Sequence, residues 1–364
     1  MLVDGTAYRA IWAGDDGRSA HIIDQTRLPW EWRVARLERL ADAAEAIAAM
    51  RVRGAPLIGA TAAYGLALGL AEDPSDAGLQ RGHAGLLATR PTAVNLRWAL
   101  DAVAAVVAPL VPGERAAAAF AAAGDIADGE VATCRAIGEH GLPLIQEAAR
   151  AKGEGGPVNI LTHCNAGWLA CVDWGTALAP VYRAHDAGIP VHVWVDETRP
   201  RNQGASLTAW ELGRHGVPHT LVADNAGGHL MRTGQVDLCL VGTDRTTRTG
   251  DVANKIGTYL KALAAADNGV PFFVALPGST IDWDTEAGAD IPIEERDPEE
   301  VTHISGRTDA GEVTRVALCP EGTPAANPAF DITPAQLVTA LVTERGACDP
   351  TEDALAALYA GPAR

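Results

Sequence analysis

Apolar residues recur at helical spacing over 38–50, at Leu40, Ala44, Ile47 and Ala48, and predict an amphipathic helix there. After a short RVRGAP break the chain is almost wholly apolar, and a second helix is expected over 57–70. A third is expected over 92–110, and the alanine-rich stretch 115–151 reads as helix broken near Gly124 and Gly138. With short strand candidates near the N-terminus, residues 1–152 are expected to form a mainly helical domain, and the Gly-rich KGEGGP at 152–157 marks its end. Over 153–364 the pattern changes to short β-rich runs, VNILTH, PVHVWV, HTLVA, VDLCLVG and PFFVAL, alternating with stretches of helical length. That alternation predicts an α/β domain built on a Rossmann-like, doubly wound parallel sheet. A late helix is expected over ITPAQLVTALVTERG, after a Pro-rich loop.

Composition narrows the function classes. The 364 residues are 48% hydrophobic and 21% charged, a globular composition that excludes disordered and fibrous architectures. With 46 acidic against 29 basic side chains the formal charge is -17, and no run of Lys and Arg supplies the basic stripe that nucleic-acid binding would need. The same charge repels phosphorylated small molecules unless a local positive site overrides it. Six cysteines, at 134, 164, 171, 239, 319 and 348, form no CxxC pair and no zinc-type spacing, which points to a reducing compartment. The N-terminal MLVDGTAYRAIWAGDDGR has no apolar core of a signal peptide, and the apolar run 55–71 is shorter than a membrane span. A cytoplasmic protein without membrane or nucleic-acid partners is expected.

Ligands of open α/β sheets bind outside the carboxyl ends of the strands. The residues that follow each run are polar or reactive: Cys164 and Asn165 after the first, Asp196, Glu197 and Thr198 after the second, Asp224 and Asn225 after the third. Thr243, Asp244 and Arg245 follow the fourth, and Ser279 and Thr280 the fifth. A thiol and several carboxylates on one edge suit proton transfer. Neither GxGxxG nor GxxxxGK[ST] occurs after a strand, so dinucleotide and P-loop chemistry lack their usual supports. Phosphate has its own candidates in Arg53, Gly54 and Ala55 before Pro56, and in Arg90 before Pro91 and Thr92, each at an expected helix start. Taken singly, each feature has a structural alternative: a buried Cys as a small apolar residue, Asp224 or Asp244 as an N-cap, Arg53 as a surface ion-pair partner.

The segments RGAPLIGATAAYG, RPTAVNLRWA, ILTHCNAGWLA, VDETRPRNQGASLTAWEL, ADNAGGHLM, GTDRTTRTGDVANKIGTY and ALPGSTIDW occur in this order. In them, from about Arg36 to the C-terminus, the chain resembles the methylthioribose-1-phosphate isomerase family, which is related to the alpha, beta and delta subunits of translation initiation factor 2B. The resemblance implies an aldose-to-ketose isomerase of methionine salvage that needs no cofactor and no metal, and a homodimer formed through the C-terminal domain. It implies Asp244 as general acid and base and Cys164 as the second catalytic residue. Arg53, Gly54 and Ala55 match the anion-binding turn, Arg90 a second phosphate contact, Gln203 a sugar contact, and Asn254 and Lys255 the remaining binding pair, with Gly250 and Asp251 shaping a turn. Trp168 and Arg248 depart from the family pattern and are expected to alter the pocket for the C5 substituent. Isomerases of 5-deoxyribose 1-phosphate and of ribose 1,5-bisphosphate are the alternatives, the latter resting on Arg248 as a second anion site. A regulatory subunit that binds a sugar phosphate or nucleotide without turnover is the non-enzymatic one.

Overall fold

The computed structural model describes residues 1–90, 93–153 and 156–360. Its N-terminal part opens with a small antiparallel sheet of Ile11–Ala13, Ala20–Ile23 and Val34–Leu37. Five helices follow: α1 (Leu40–Ala48), α2 (Ala55–Glu72), α3 (Asp76–Leu87), α4 (Val94–Val107) and α5 (Pro112–Lys152). The sequence pattern of α2 explains its place. It is apolar on every side, so no face can be left to water, and the other four helices pack around it. Against the expectation that this run is too short for a membrane span, the 18-residue helix meets the length and hydropathy of one, yet 83% of that window is buried inside the protein.

The 115–151 stretch corrects the expectation of breaks near Gly124 and Gly138. α5 runs unbroken for 41 residues, even through Pro143, or roughly 60 Å at 1.5 Å per residue. Two of its glycines, Gly138 and Gly141, serve packing. A Cβ on Gly141 would fall 2.4 Å from Pro180 Cγ, so the missing side chain lets the helix Leu178–Asp186 approach α5 closely. Tertiary contact therefore keeps a helix that local propensity would interrupt. Of the expected boundary segment, Glu154 and Gly155 lie outside the described residues, as do Pro91 and Thr92 before α4.

Beyond α5 lies one seven-stranded sheet. Its strands are β1 (Val158–Thr162), β2 (Val191–Asp196), β3 (His219–Val222), β4 (Leu238–Val241), β5 (Phe272–Ala275), β6 (Ala340–Thr343) and β7 (Gly346–Cys348). The five expected runs supply β1 to β5. Strand order is β7-β6-β5-β4-β1-β2-β3, parallel throughout except for the antiparallel edge strand β7. The expected late helix is instead a strand (Phe330–Thr333), a short 3-10 turn (Ala335–Leu337) and β6. Pro334 ends the first strand, and the Val- and Thr-rich run after it pairs with β5 through Phe273–Ala340, Val274–Leu341 and Ala275–Val342.

The doubly wound order reverses direction at the β1/β4 pair, where Ile160 and Leu161 face Leu238 and Cys239. At such a switch point the connections leave to opposite faces and open a crevice at the carboxyl ends. A second sheet, of Arg245–Thr247, Val252–Lys255, Ile281–Asp282 and Phe330–Thr333, starts from the loop after β4 and roofs that edge.

Leu66, fully buried in α2, tests the role of that helix as the centre of the N-terminal core. Leu66→Ala is expected to lower the unfolding free energy by about 2–5 kcal/mol, read from the midpoint of a urea unfolding curve.

Candidate active site

After β1 the chain passes through His163 to Cys164, which adopts φ +66°, a left-handed conformation uncommon outside glycine. Two hydroxyls hold it there. Its N–H donates to Thr198 Oγ1 at 2.8 Å, and its carbonyl accepts from Thr208 Oγ1 at 2.7 Å. Thr198 and Met50 have positive φ as well, +65° and +58°; such conformations persist where the surroundings over-determine them. After β4 comes Asp244, whose N–H donates to the carbonyl of Ala253 at 3.0 Å, tying the loop to the roofing sheet. Gly250 at φ +93° makes the turn inside that sheet, and Asp251 accepts the N–H groups of Gly288 and Ala335, both at 2.9 Å.

Cys164 and Asp244 face one cavity and its inner recess, both of which Arg53, Gly54 and Ala55 also line. Arg90, Gln203 and Lys255 line the outer part, and Asn254 the recess. All nine expected site residues therefore come together, from positions 53 to 255. Gly54 caps α2 at φ +92°, where a Cβ would lie 2.3 Å from the carbonyl oxygen of Ala170. Only glycine lets the start of α2 come this close to the sheet edge, and the amides of its first turn point outward from the helix. Pro56 is at the second helical position and not the first.

Among the described residues, Arg90 Nε and Gln203 Oε1 are buried here without a protein partner. Arg90 holds Glu294 at 3.3 Å through Nη2, which leaves Nε as a donor ready for a ligand. Arg53 donates from Nη1 to Asn165 Oδ1 at 2.7 Å and from Nη2 to the Asn165 carbonyl at 2.9 Å, with Cys164 Sγ 3.9 Å from Nη2. Lys255 Nζ donates to the Ala329 carbonyl at 2.8 Å and lies 4.8 Å from the centre of the Phe330 ring. Asn254 Nδ2 donates to Thr258 Oγ1 at 3.0 Å.

Burial raises the Asp244 carboxyl above its ordinary value, over the opposing pull of Lys255, Arg53 and Arg90, and Glu294 adds to the rise. Asp244 keeps contact with solvent through the cavity, but protein surrounds it on the other sides. Burial likewise lowers the Lys255 ammonium, against the attraction of Cys164 and Asp244. The site thus shows two opposite burial effects, each moderated by the other group's charge.

Behind the recess, Glu211 is fully buried and accepts from Asn165 Nδ2. Burial pushes its carboxyl up to about 8 despite that bond and the nearby Arg53 charge. His163, Asp196 and Asp224 bring three ligand-type atoms together. Each is already engaged by protein partners. Lys261 Nζ lies 3.1 Å from Asp196 Oδ2, and Asp224 accepts the N–H groups of Thr198 and Arg199 at 2.7 Å each. This donor set fits a lysine ammonium and leaves Asp224 a loop-holding role in place of an N-cap.

Two expectations are corrected. Arg248 is tied to Glu286 at 2.6 Å and Glu352 at 3.1 Å and does not line the cavity. Trp168 is packed in the core, 1% exposed, with Trp210 at 6.2 Å. Neither shapes the pocket. Its apolar wall is built from Met50, Ile58, Ala93, Ile291, Pro292 and Phe330, which sequence reasoning missed because they come from five separate segments.

A thiol and a carboxyl at the switch point of a doubly wound sheet share a cavity lined by cations and apolar side chains, as in an α/β enzyme site. Residues 51–350 match the Initiation factor 2 subunit family, IF-2B. The methylthioribose-1-phosphate isomerase of Methylorubrum populi is 65% identical over 360 residues, 99% of this chain and 98% of its own. Among solved structures, 5-methylthioribose 1-phosphate isomerase from Pyrococcus horikoshii superposes with a TM-score of 0.84 at 39% identity, covering 98% of this chain and 96% of that one. Translation initiation factor eIF-2B, subunit delta, from A. fulgidus gives 0.80 at 36% identity, covering 97% and 99%. The chain belongs to the Initiation factor 2 subunit family and stands within it among the methylthioribose-1-phosphate isomerases.

The raised Glu211 carboxyl sets a sign for stability. Between the ordinary 4.5 and about 8 the folded state binds a proton there that the unfolded state does not, so the stabilisation is full at the acid end and is lost as pH rises. Thermal unfolding midpoints across that window are expected to fall less steeply in Glu211→Gln than in the parent.

Proposed function

We propose that the protein converts 5-methylthioribose 1-phosphate to 5-methylthioribulose 1-phosphate. The observation that carries this reading is one cavity lined by three cations, Arg53, Arg90 and Lys255, by the apolar Met50, Ile58 and Phe330, and by Cys164 and Asp244. The phosphate would take the start of α2 and the guanidiniums, and the apolar C5 substituent the wall of Met50, Ile58 and Phe330.

The anomeric oxygen carries phosphate, so the sugar cannot open to a free aldehyde. Asp244 donates a proton to the ring oxygen, the C1–O bond breaks, and the ring oxygen leaves as a hydroxyl. Burial supports this role because it favours the protonated carboxyl. Positive charge left at C1 is then quenched from C2 by one of two routes. In the first, the Cys164 thiolate removes the C2 proton and the resulting enol is reprotonated at C1. In the second, hydride moves from C2 to C1 while the Cys164 loop shields the cation. In both, the C2 hydroxyl returns its proton to the Asp244 carboxylate as the ketone forms.

A methyl group at C5 would fit the same wall, so 5-deoxyribose 1-phosphate is the second substrate in this reading. Ribose 1,5-bisphosphate ranks behind both, because the Arg248 cation it would call on is paired elsewhere. The 36% identity to an initiation-factor subunit supports a binding-only alternative, against which stands the presence of both reactive side chains in one cavity. The reading extends to a cytoplasmic homodimer. Exposed Tyr259, Leu260 and Leu263 on the helix Thr258–Asn268 support a dimer contact in the C-terminal part.

An NMR assay with the three sugar phosphates side by side is expected to give turnover with methylthioribose 1-phosphate first and 5-deoxyribose 1-phosphate second; no turnover of any contradicts the enzyme reading. Cys164→Ser and Asp244→Asn are expected to abolish turnover with the circular dichroism spectrum and substrate binding retained. Solvent deuterium at C1 of the product would support the proton route, and its complete absence would count strongly against freely exchanging enolate chemistry. Light scattering is expected to give twice the chain mass of 37.9 kDa.

A further inference from the structure

We propose that Glu211 is a positioning residue of this site: through the Asn165 side chain it fixes the Arg53 guanidinium against Cys164. The proposal deepens the isomerase reading and rests on it for the choice of substrate.

Proton accounting carries the argument. An asparagine amide can present either end, and here its neighbours settle which. Arg53 Nη1 stands 2.7 Å from one end. A guanidinium only donates, so that end is the oxygen. The Nδ2 end faces Glu211 Oε1 and, at 3.2 Å, Thr208 Oγ1. Thr208 has one proton and gives it to the Cys164 carbonyl at 2.7 Å, so towards Asn165 it accepts. The donors that join Arg53, Asn165, Thr208 and Cys164 are thereby assigned, and Glu211, with Thr208, supplies the acceptors that keep Asn165 from turning over.

Arg53 depends on that orientation. One nitrogen holds Asn165 Oδ1, and the other lies 2.9 Å from the Asn165 carbonyl and 3.9 Å from Cys164 Sγ. Without Glu211 only the 3.2 Å bond to Thr208 Oγ1 holds the Nδ2 end, so the amide is freer to turn and the Arg53 bond to Oδ1 loses its register, while the bond to the Asn165 carbonyl remains. Glu211 lines neither part of the cavity and is 1% exposed, so it acts only through its neighbours. The space it fills is reserved on the loop side too: a Cβ on Gly167 would fall 1.9 Å from Glu211 Oε1. Its raised carboxyl is compatible with the role, since an oxygen that accepts from Asn165 is present in either protonation state.

The test compares Glu211→Leu, Glu211→Gln, Asn165→Ala and the double variant Glu211→Leu/Asn165→Ala. Two readouts are used: kcat/KM with methylthioribose 1-phosphate, and the rate of Cys164 alkylation by iodoacetamide, followed by peptide mass spectrometry. The second needs no turnover, so it judges the positioning role even if the substrate reading fails in the parent. Displacing a catalytic group by about 1 Å can cost about 100-fold, and Glu211→Leu and Asn165→Ala are each expected to lose about that much with the fold retained. Both are expected to change the rate of Cys164 alkylation, slowing it, because the guanidinium 3.9 Å from the sulfur is no longer held in place. Glu211→Gln, whose amide oxygen can accept from Asn165, is expected to stay close to the parent. The double variant is expected to be no worse than either single one, as for residues that act in one chain. Losses that multiply in the double variant overturn the proposal, as does a folded Glu211→Leu with both readouts unchanged. If Glu211→Leu does not fold, Asn165→Ala decides alone, and parental values for both readouts overturn the proposal.

Discussion

The site depends on the pairing of β1 with β4. These parallel strands are neighbours in space, with Leu161 beside Cys239, although about 80 residues separate them in the chain. Neighbouring strands lie about 4.8 Å apart, so the residues that follow their carboxyl ends are delivered to one place whatever the loops do. Cys164 follows β1 and Asp244 follows β4, and the reversal of strand order at this pair opens the crevice they face. The remaining parts are brought to that crevice: α2 by the glycine at its cap, and Lys255 and Phe330 by the roofing sheet.

Electrostatics then follows from enclosure. A chain of charge -17 recruits an anion only where cations are gathered, and Arg53, Arg90 and Lys255 are gathered here around one carboxyl. Those cations pull the Asp244 proton off, while burial holds it on, and burial is the larger effect. The opposed shifts of Asp244 and Lys255 come from the same low-dielectric surroundings acting on charges of opposite sign. Arg53 is further restrained by Asn165, so the charge nearest Cys164 is held by hydrogen bonds as well as by packing.

Much of this was legible in the sequence because the chemistry follows strands directly. Five short runs marked β1 to β5, and the residues after them were polar or reactive, so the sheet edge and its thiol and carboxyl could be named. What local pattern could not show is where tertiary contact overrides it. Gly138 suggested a helix break, but it lies against Ala179 in an unbroken α5. A late helix was expected over ITPAQLVTALVTERG, but pairing with β5 makes Ala340–Thr343 a strand. The apolar wall joins Met50, Ile58, Pro292 and Phe330, which share no periodicity, and Trp168 and Arg248 were misplaced because nearness in sequence to Cys164 and Asp244 is not nearness to the cavity. Glu211 lay inside a helical run with nothing to distinguish it from a solvated acid.

The account turns on Asp244 as a carboxyl whose proton is held by burial against three cations. Its titration can be followed directly by carbon-13 NMR of protein labelled at the aspartate carboxyls, with the Asp244 resonance assigned by its loss in Asp244→Asn. The account predicts that this resonance titrates above the ordinary 3.8. A midpoint at or below that value would mean that the cations outweigh burial, and would contradict Asp244 as the acid that opens the ring.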